Sequence, residues 1–122
     1  MSLILIVEDD SDVRASLAEA LADEGYHVAS AVDGLDALRY LRQVEVLPRL
    51  ILLDMMMPRM DGYEFRAAQV SEAALADIPV ALVTADAQAG SKASDLRADG
   101  FLKKPIKLDD LLSLVERLAG LP

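Results

Sequence analysis

The fold is decided by the stretch Leu50-Ile51-Leu52-Leu53-Asp54, in which four apolar residues lead directly into a carboxylate. A short continuous apolar run of this kind, followed by a turn that contains Met57-Pro58, predicts a β-strand buried on both faces. The charged last residue must emerge where charge is tolerated, at the carboxyl end of a sheet. Open parallel α/β sheets bind their ligands at that edge. Asp54 is therefore a candidate functional residue, and the alternative is an aspartate that only ends a strand.

The composition is that of one compact domain. The chain has 122 residues, of which 53% are hydrophobic, and we expect a single domain over residues 1–122 with a core of Leu, Val, Ile and Ala. The absence of cysteine excludes disulfides and thiolate metal sites, and it fits a reducing, cytoplasmic setting. No apolar run is long enough to span a membrane, and we expect no signal peptide, since no basic-then-apolar pattern opens the sequence. The net charge of −9 argues against binding to nucleic acid or to anionic lipid.

Strand patterns alternate with helical patterns along the whole chain. This alternation predicts a parallel sheet with helices on both faces. The strands are expected at residues 3–7, 26–31, 50–54, 80–84 and 101–102, and the helices at 12–24, from 33, at 62–70, at 85–96 and from 108.

Polar residues at the helix starts predict where the helices begin. Asp10 or Ser11 can cap the first helix, and Asp61 with Glu64 resembles a capping box for the third. In the last helix, apolar residues recur at helical spacing and predict its buried face; they are Leu108, Leu111, Leu112, Val115 and Leu118.

Four strand ends lead into polar side chains, which predicts a common site. Because the carboxyl ends of parallel strands share one edge, the four groups are expected to meet there; they are Glu8-Asp9, Asp54, Thr84 and Lys104. Clustered carboxylates repel one another, and one of them would tend to bind a proton. A divalent cation removes that penalty, and oxygen ligands favour Mg²⁺, with Mn²⁺ as a substitute.

Mg²⁺ usually keeps several waters and a phosphate oxygen, which points to a phosphoryl group as the remaining ligand. An aspartate such as Asp54 can attack phosphorus to give an aspartyl phosphate. Lys104 and the cation would stabilise charge on the transferring group. The Thr84 hydroxyl could donate to a phosphoryl oxygen, and the small Ala85 leaves room beside it.

On these residues the chain resembles the receiver domain of two-component response regulators, including the chemotaxis receivers. The resemblance covers essentially all 122 residues. The matching segments follow the family's order: Ile4-Leu5-Ile6-Val7-Glu8-Asp9-Asp10, Leu52-Leu53-Asp54-Met55-Met56-Met57-Pro58 with Met60-Asp61-Gly62, Val83-Thr84-Ala85, and Lys104-Pro105.

The resemblance implies a flavodoxin-like α/β fold, a doubly wound five-stranded parallel sheet in the order 2-1-3-4-5 flanked by five helices. It implies that Asp54 accepts a phosphoryl group from the phosphohistidine of a sensor histidine kinase or a histidine phosphotransfer protein. The remaining implied roles are Asp9 as a direct Mg²⁺ ligand, Glu8 as a ligand largely through water, the Met56 backbone carbonyl as a further ligand, the Ala85 backbone and Lys104 as phosphoryl contacts, and a cis Lys104-Pro105 bond.

The resemblance also implies that Thr84 and Phe101 form a switch pair. The hydroxyl would move towards the phosphoryl group and the ring would turn inward, which remodels the face of helix 4, strand 5 and helix 5. From the residues alone, Phe101 could equally be core. The segment 85–103 is shorter than the family pattern, and Gly90-Ser91 weakens its helix, so helix 4 is expected to be short, displaced or disordered.

Two other functions remain open. A small aspartyl-phosphate hydrolase would typically carry a second aspartate two residues after the nucleophile, and Met56 occupies that position. A pseudo-receiver would bind partners without phosphorylation, although the full set of polar residues argues against it. A receiver modifies only itself, so the chain is expected not to be an enzyme. The chain is expected to be a monomer or a phosphorylation-dependent dimer. The sequence does not identify its kinase or its output, and it leaves open whether the chain stands alone or belongs to a longer regulator.

Overall fold

The structure, a computed structural model, describes residues 2–122. Five strands alternate with five helices. The strands are β1 Leu3–Val7, β2 His27–Ala31, β3 Leu50–Asp54, β4 Val80–Thr84 and β5 Gly100–Lys103. The helices are α1 Ser11–Asp23, α2 Gly34–Gln43, α3 Gly62–Ser71, α4 Ala89–Asp95 and α5 Leu108–Ala119. Within residues 2–122, no helix has the length and apolar character needed to cross a bilayer.

The five strands form one parallel sheet in the order β2-β1-β3-β4-β5, which confirms the predicted fold. β3 lies at its centre, with Ile51 beside Leu5 of β1 and Val80 of β4. Asp54, the last residue of β3, pairs with Val83 of β4, and Thr84 is the next residue of β4. Because all strands point the same way, their carboxyl ends lie along a single edge, and that edge carries the predicted polar groups.

Alternating strand residues build two cores, one on each face of the sheet. On one face, Leu53 packs with α2, α3 and α4. On the other face, Leu52 packs with α1 and α5. All five residues of β3 are buried, as the apolar run predicts, since a strand in the middle of a doubly wound sheet is covered on both sides.

The predicted caps are present. The Asp10 carboxylate accepts from the backbone N–H groups of Asp12 and Val13 at the start of α1. Asp61 and Glu64 form a complete capping box on α3. These caps satisfy N–H groups that have no partner inside the helix.

The predicted face of α5 is partly wrong. Leu108 is 54% exposed, because it lies on the first turn and borders an open groove between α1 and α5. The face that packs on the sheet begins one turn later, at Leu111, and its residues recur at intervals of three or four. Its buried members are Leu111, Leu114, Val115 and Ala119.

Helix α4 is short, as expected. It has seven residues, Ala89–Asp95, whereas the predicted helical segment ran from 85 to 96. Gln88 at its N-cap makes no side-chain hydrogen bond to the helix. Gly90 and Ser91 lie in its first turn, and glycine in a helix is less favourable than alanine by about 1 kcal/mol. The weak propensity and the missing cap account for the late start.

Candidate functional site

Three acidic side chains meet at the carboxyl edge of the sheet. Glu8 and Asp9 follow β1, and Asp54 ends β3. Each offers a carboxylate oxygen, and the three oxygens lie within 4.8 Å of one another. Glu8 is 2% exposed and Asp54 is 4% exposed, whereas Asp9 faces solvent. Together with Lys104, these residues form what we call the acidic pocket.

Lys104 supplies the positive charge of the acidic pocket. Its Nζ lies 2.8 Å from Glu8 Oε1 and 3.5 Å from Asp54 Oδ1. Its backbone N–H donates to the Thr84 carbonyl at 2.8 Å, which ties the end of β5 to the end of β4. The Lys104–Pro105 peptide bond is cis, in agreement with the prediction.

The acidic pair after β1 is held by an arginine that the sequence did not reveal. Arg14 Nη1 donates to the carbonyl of Glu8 at 2.8 Å, and the carbonyl of Asp9 lies 3.4 Å from the same nitrogen. The backbone N–H of Asp10 donates to Glu8 Oε2 at 3.2 Å. No local pattern identifies Arg14, because it reaches back over the first turn of α1 to the preceding loop.

Burial and like charge raise the pKa of Asp54 to about 7. Desolvation is the larger cause, followed by the hydrogen bond and the negative charge of Glu8, and Lys104 only partly offsets them. Burial lowers the pKa of Lys104, but Glu8 and Asp54 outweigh it and leave that pKa above its usual value. Without a cation, Asp54 is therefore only partly ionised near neutral pH.

The donor set of the acidic pocket fits a hard divalent cation. The side-chain atoms that could bind a metal ion are carboxylate oxygens of Glu8, Asp9 and Asp54, and Mg²⁺ and Mn²⁺ prefer such ligands. Within the described residues, the buried Glu8 Oε1 accepts no hydrogen bond and has only its ion pair with Lys104. A cation would relieve the repulsion that raises the pKa of Asp54.

The loop after β3 is tied to the start of α2 by an ion pair between a half-exposed arginine and a buried aspartate, which no local sequence pattern indicates. Arg59 Nε donates to Asp33 Oδ2 at 2.6 Å, and the Gly34 N–H donates to the Met60 carbonyl at 3.0 Å. Burial raises the pKa of Asp33, but Arg59 outweighs it and leaves the pKa below its usual value. Asp33 reads in the sequence only as the N-cap of α2, so its second partner is a tertiary feature.

Met56 and Thr84 border the acidic pocket. The Met56 N–H is 3.5 Å from Asp54 Oδ1, and the Met56 side chain is 77% exposed at the mouth. Thr84 is buried, and its Oγ1 accepts from the Asp86 N–H at 3.1 Å. Ala85, which follows it, is exposed.

Phe101 lies on β5, away from the core. It is 44% exposed, so the interpretation of this ring as core is wrong for this structure. Gly90 of α4 faces the ring: a Cβ at position 90 would meet ring atoms Cε1 and Cζ at 3.5 Å. The ring therefore rests against the first turn of α4.

A doubly wound sheet in the order 2-1-3-4-5, with acidic residues and a lysine at its carboxyl edge, defines the class of this protein: the flavodoxin-like receivers. The chain belongs to the response regulator receiver domain family, whose pattern matches residues 4–116. Members of this family are regulatory domains of two-component systems, and they bind Mg²⁺ at an acidic pocket.

Relatives and solved structures agree with this assignment. The transcriptional regulatory protein PrrA of Mycobacterium tuberculosis is 39% identical over 117 residues, which cover 94% of this chain and 48% of PrrA. The chain thus spans about half the length of the curated relatives it matches.

Among solved structures, the receiver domain of a histidine kinase from Syntrophus aciditrophicus is 35% identical, with a TM-score of 0.87 over 98% of this chain and 90% of that one. The receiver domain of a sensor histidine kinase from Pseudomonas aeruginosa PAO1 is 26% identical, with a TM-score of 0.87 over 98% of both chains. That structure has a magnesium ion coordinated in its active-site cleft.

Proposed function

We propose that this chain is the phosphoacceptor switch of a two-component system, in which Asp54 accepts a phosphoryl group from a phosphohistidine. The observation that carries the proposal is the placement of Asp54. Its carboxylate lies at the carboxyl edge of the sheet, within 4.8 Å of the acids after β1 and 3.5 Å from the Lys104 ammonium.

The transfer is a displacement at phosphorus. An Asp54 carboxylate oxygen forms the new O–P bond as the N–P bond of the phosphohistidine breaks, and the electron pair returns to the imidazole nitrogen of the donor. Asp54 has to be ionised to attack, and its pKa of about 7 means that only part of the cation-free protein carries the reactive carboxylate at neutral pH. We therefore expect cation binding and activation of Asp54 to be coupled.

The proposed Mg²⁺ ligands are Asp9 and Asp54 directly, Glu8 largely through water, and the Met56 carbonyl, with Mn²⁺ as a substitute. When bound, Mg²⁺ neutralises charge on the phosphoryl oxygens. Lys104 would exchange part of its contact with Asp54 for a phosphoryl oxygen. The Thr84 hydroxyl and the Ala85 backbone would bind the remaining oxygens.

The proposed output is a change at the face of α4, β5 and α5. The Thr84 hydroxyl would move towards the phosphoryl group, and Phe101 would leave its exposed position and turn inward. The half-exposed ring next to Gly90 supports this role, because it is free to move without disrupting the core.

The proposed phosphodonor is a sensor histidine kinase or a histidine phosphotransfer protein. PrrA is a transcriptional regulatory protein, and the matched residues cover about half of its length, so we propose a downstream output domain or protein as the target of the change. Met56 is exposed and occupies the position where a hydrolase would carry its acid–base aspartate. A methionine there favours a switch that modifies only itself and argues against a phosphatase.

The deciding experiment is incubation with Mg²⁺ and acetyl phosphate, followed by intact mass measurement. We expect one added phosphoryl group, absent in Asp54→Asn and retained in Asp77→Asn, which changes an exposed aspartate outside the acidic pocket. Absence of the adduct in the wild-type protein, or an equal adduct in Asp54→Asn, would overturn the assignment. Sustained release of phosphate from phosphatase substrates would favour the hydrolase instead.

A further inference from the structure

Asp86 connects the phosphoryl site directly to α4. Its backbone N–H donates to Thr84 Oγ1 at 3.1 Å. Its carboxylate accepts from the Gln88 N–H at 2.7 Å and lies 2.7 Å from Lys92 Nζ in the middle of α4. One residue therefore contacts both the hydroxyl expected to respond to a phosphoryl group and the helix expected to move.

The contact between Asp86 and Lys92 is easily broken. The two side chains are 37% and 27% exposed, so water can replace either partner. Lys92 also lies over the ring of Tyr63 at the start of α3, with Nζ 5.9 Å from the ring centroid. Ion pairs this accessible contribute little to stability and are screened by salt.

The opposite end of α4 is held far more firmly. Arg66 of α3 is 8% exposed, and its guanidinium donates to the carbonyls of Leu96 at 3.1 Å and Arg97 at 2.9 Å. A third donor reaches Gln69 Oε1 at 2.8 Å. Moving this end would leave buried charged donors without partners, which is much more costly than opening an exposed ion pair.

The helix itself adds little to these contacts. Helix α4 has seven residues, and isolated helices of this length are not stable in water. Its N-cap side chain makes no hydrogen bond, and Gly90 lies in its first turn beside the Phe101 ring. The end contacts therefore determine where α4 sits, and a shift of its first turn changes the surface on which the ring rests.

We propose that the Asp86–Lys92 ion pair is a latch that holds the N-terminal half of α4 next to Thr84, and that Arg66 is the pivot at its C-terminal end. When the Thr84 hydroxyl moves towards a phosphoryl group, the Asp86 N–H follows it, the latch opens and α4 turns about the pivot. This opening step rests on the proposed function, whereas the latch and the pivot belong to the free protein.

Amide hydrogen exchange followed by NMR tests the latch. The Lys92 N–H, bonded to the Gln88 carbonyl, reports the N-terminal half of α4, and the Ala98 N–H, bonded to the Ala93 carbonyl, reports the other end. Asp86→Asn keeps the side-chain oxygen and removes the charge. We expect it to speed exchange at Lys92 about twofold to fivefold in the free protein, with no change at Ala98.

Two further variants separate the ends of α4. Lys92→Arg keeps the positive charge and should preserve slow exchange at the N-terminal half. Arg66→Lys keeps the charge but loses the planar arrangement of donors, and it should speed exchange at Ala98 more than at Lys92. Arg42→Met is the matched control, because it breaks the exposed Arg42–Glu72 pair away from α4 and should leave both amides unchanged.

Beryllofluoride with Mg²⁺, used in place of the phosphoryl group, tests the opening step. We expect it to speed exchange at Lys92 in the wild-type protein and to add little in Asp86→Asn. The latch is wrong if Asp86→Asn exchanges like the wild-type protein at Lys92, or if Arg42→Met gives the same change. The opening step is wrong if beryllofluoride bound at Asp54 leaves Lys92 exchange unchanged. A missing phosphoryl adduct in the mass experiment would instead refute the proposed function, and the free-protein exchange would still decide the latch.

Discussion

Replacing Asp54 by asparagine should stabilise the metal-free protein at pH 8. Folding raises the pKa of this carboxyl from 3.8 to about 7, chiefly through burial. Between pH 3.8 and about pH 7, the folded chain keeps a proton on Asp54 that the unfolded chain has released. The contribution of Asp54 to the free energy of unfolding therefore falls as the pH rises. At ~1.4 kcal/mol per pKa unit, the ionised carboxylate costs the fold roughly 4 kcal/mol above pH 7.

The net gain in Asp54→Asn should be smaller than that limit. Part of the raised pKa comes from the repulsion between Asp54 and Glu8, which belongs to both residues. In the variant, the Lys104 ammonium and the Met56 N–H also lose their contact with a negative charge. We expect a free energy of unfolding higher than that of the wild-type protein by about 1–3 kcal/mol at pH 8. The difference should shrink towards pH 4, where the wild-type carboxyl is protonated in the folded state and begins to bind a proton in the unfolded state as well.

Urea unfolding in EDTA, followed by far-UV circular dichroism at pH 8 and pH 4, measures both differences. Asp77→Asn controls for loss of one exposed negative charge. Added Mg²⁺ should stabilise the wild-type protein more than the variant, because a ligand that binds only the folded state shifts the equilibrium towards it. An Asp54→Asn protein that is no more stable than the wild-type at pH 8 in EDTA would refute the electrostatic account of the acidic pocket.

Three further predictions follow from the same contacts. Mg²⁺ affinity, measured by calorimetry in buffers of different ionisation enthalpy, should rise from pH 6 to pH 8 with proton release, because binding requires the Asp54 carboxylate; affinity independent of pH would contradict its pKa of about 7. Lys104→Met should raise the pKa of Asp54 further in the metal-free protein, as read by NMR titration, and an unchanged or lower value would show that the ammonium does not act on it. Gln69→Leu should lower the free energy of unfolding by roughly 2–4 kcal/mol, because the carbonyls of Leu75 and Ile78 and one Arg66 donor lose their partner in the core; a loss below about 0.5 kcal/mol would contradict that network.

Local patterns were sufficient to predict the sheet and most of its pocket. Apolar runs of strand length marked β1, β3 and β4, and polar residues immediately after them marked the carboxyl edge. The strand order and the switch roles of Thr84 and Phe101 came from resemblance to the receiver family, and the comparisons confirm the family and the order. The switch roles stay predictions.

Patterns were less reliable where an element is exposed on one side. The leucine stripe of α5 included Leu108, which is exposed, because periodicity gives the angle of a face but not where along the helix its contact with the sheet begins. Periodicity also gives no information on the burial of Phe101. Its ring is half exposed because it rests against the first turn of α4.

The sequence by itself determined that Asp54 ends a buried strand beside other carboxylates, since strand patterning is local and parallel strands share an edge. Only the tertiary structure showed what holds those groups in place and links them to α4. Arg14 holds the acidic pair, Lys104 lies between Glu8 and Asp54, and Arg66 fixes the end of α4. Long charged side chains reach across several ångströms to partners outside their own helix or strand, so their contacts leave no periodic pattern. Their strength depends on a burial that only the folded chain creates.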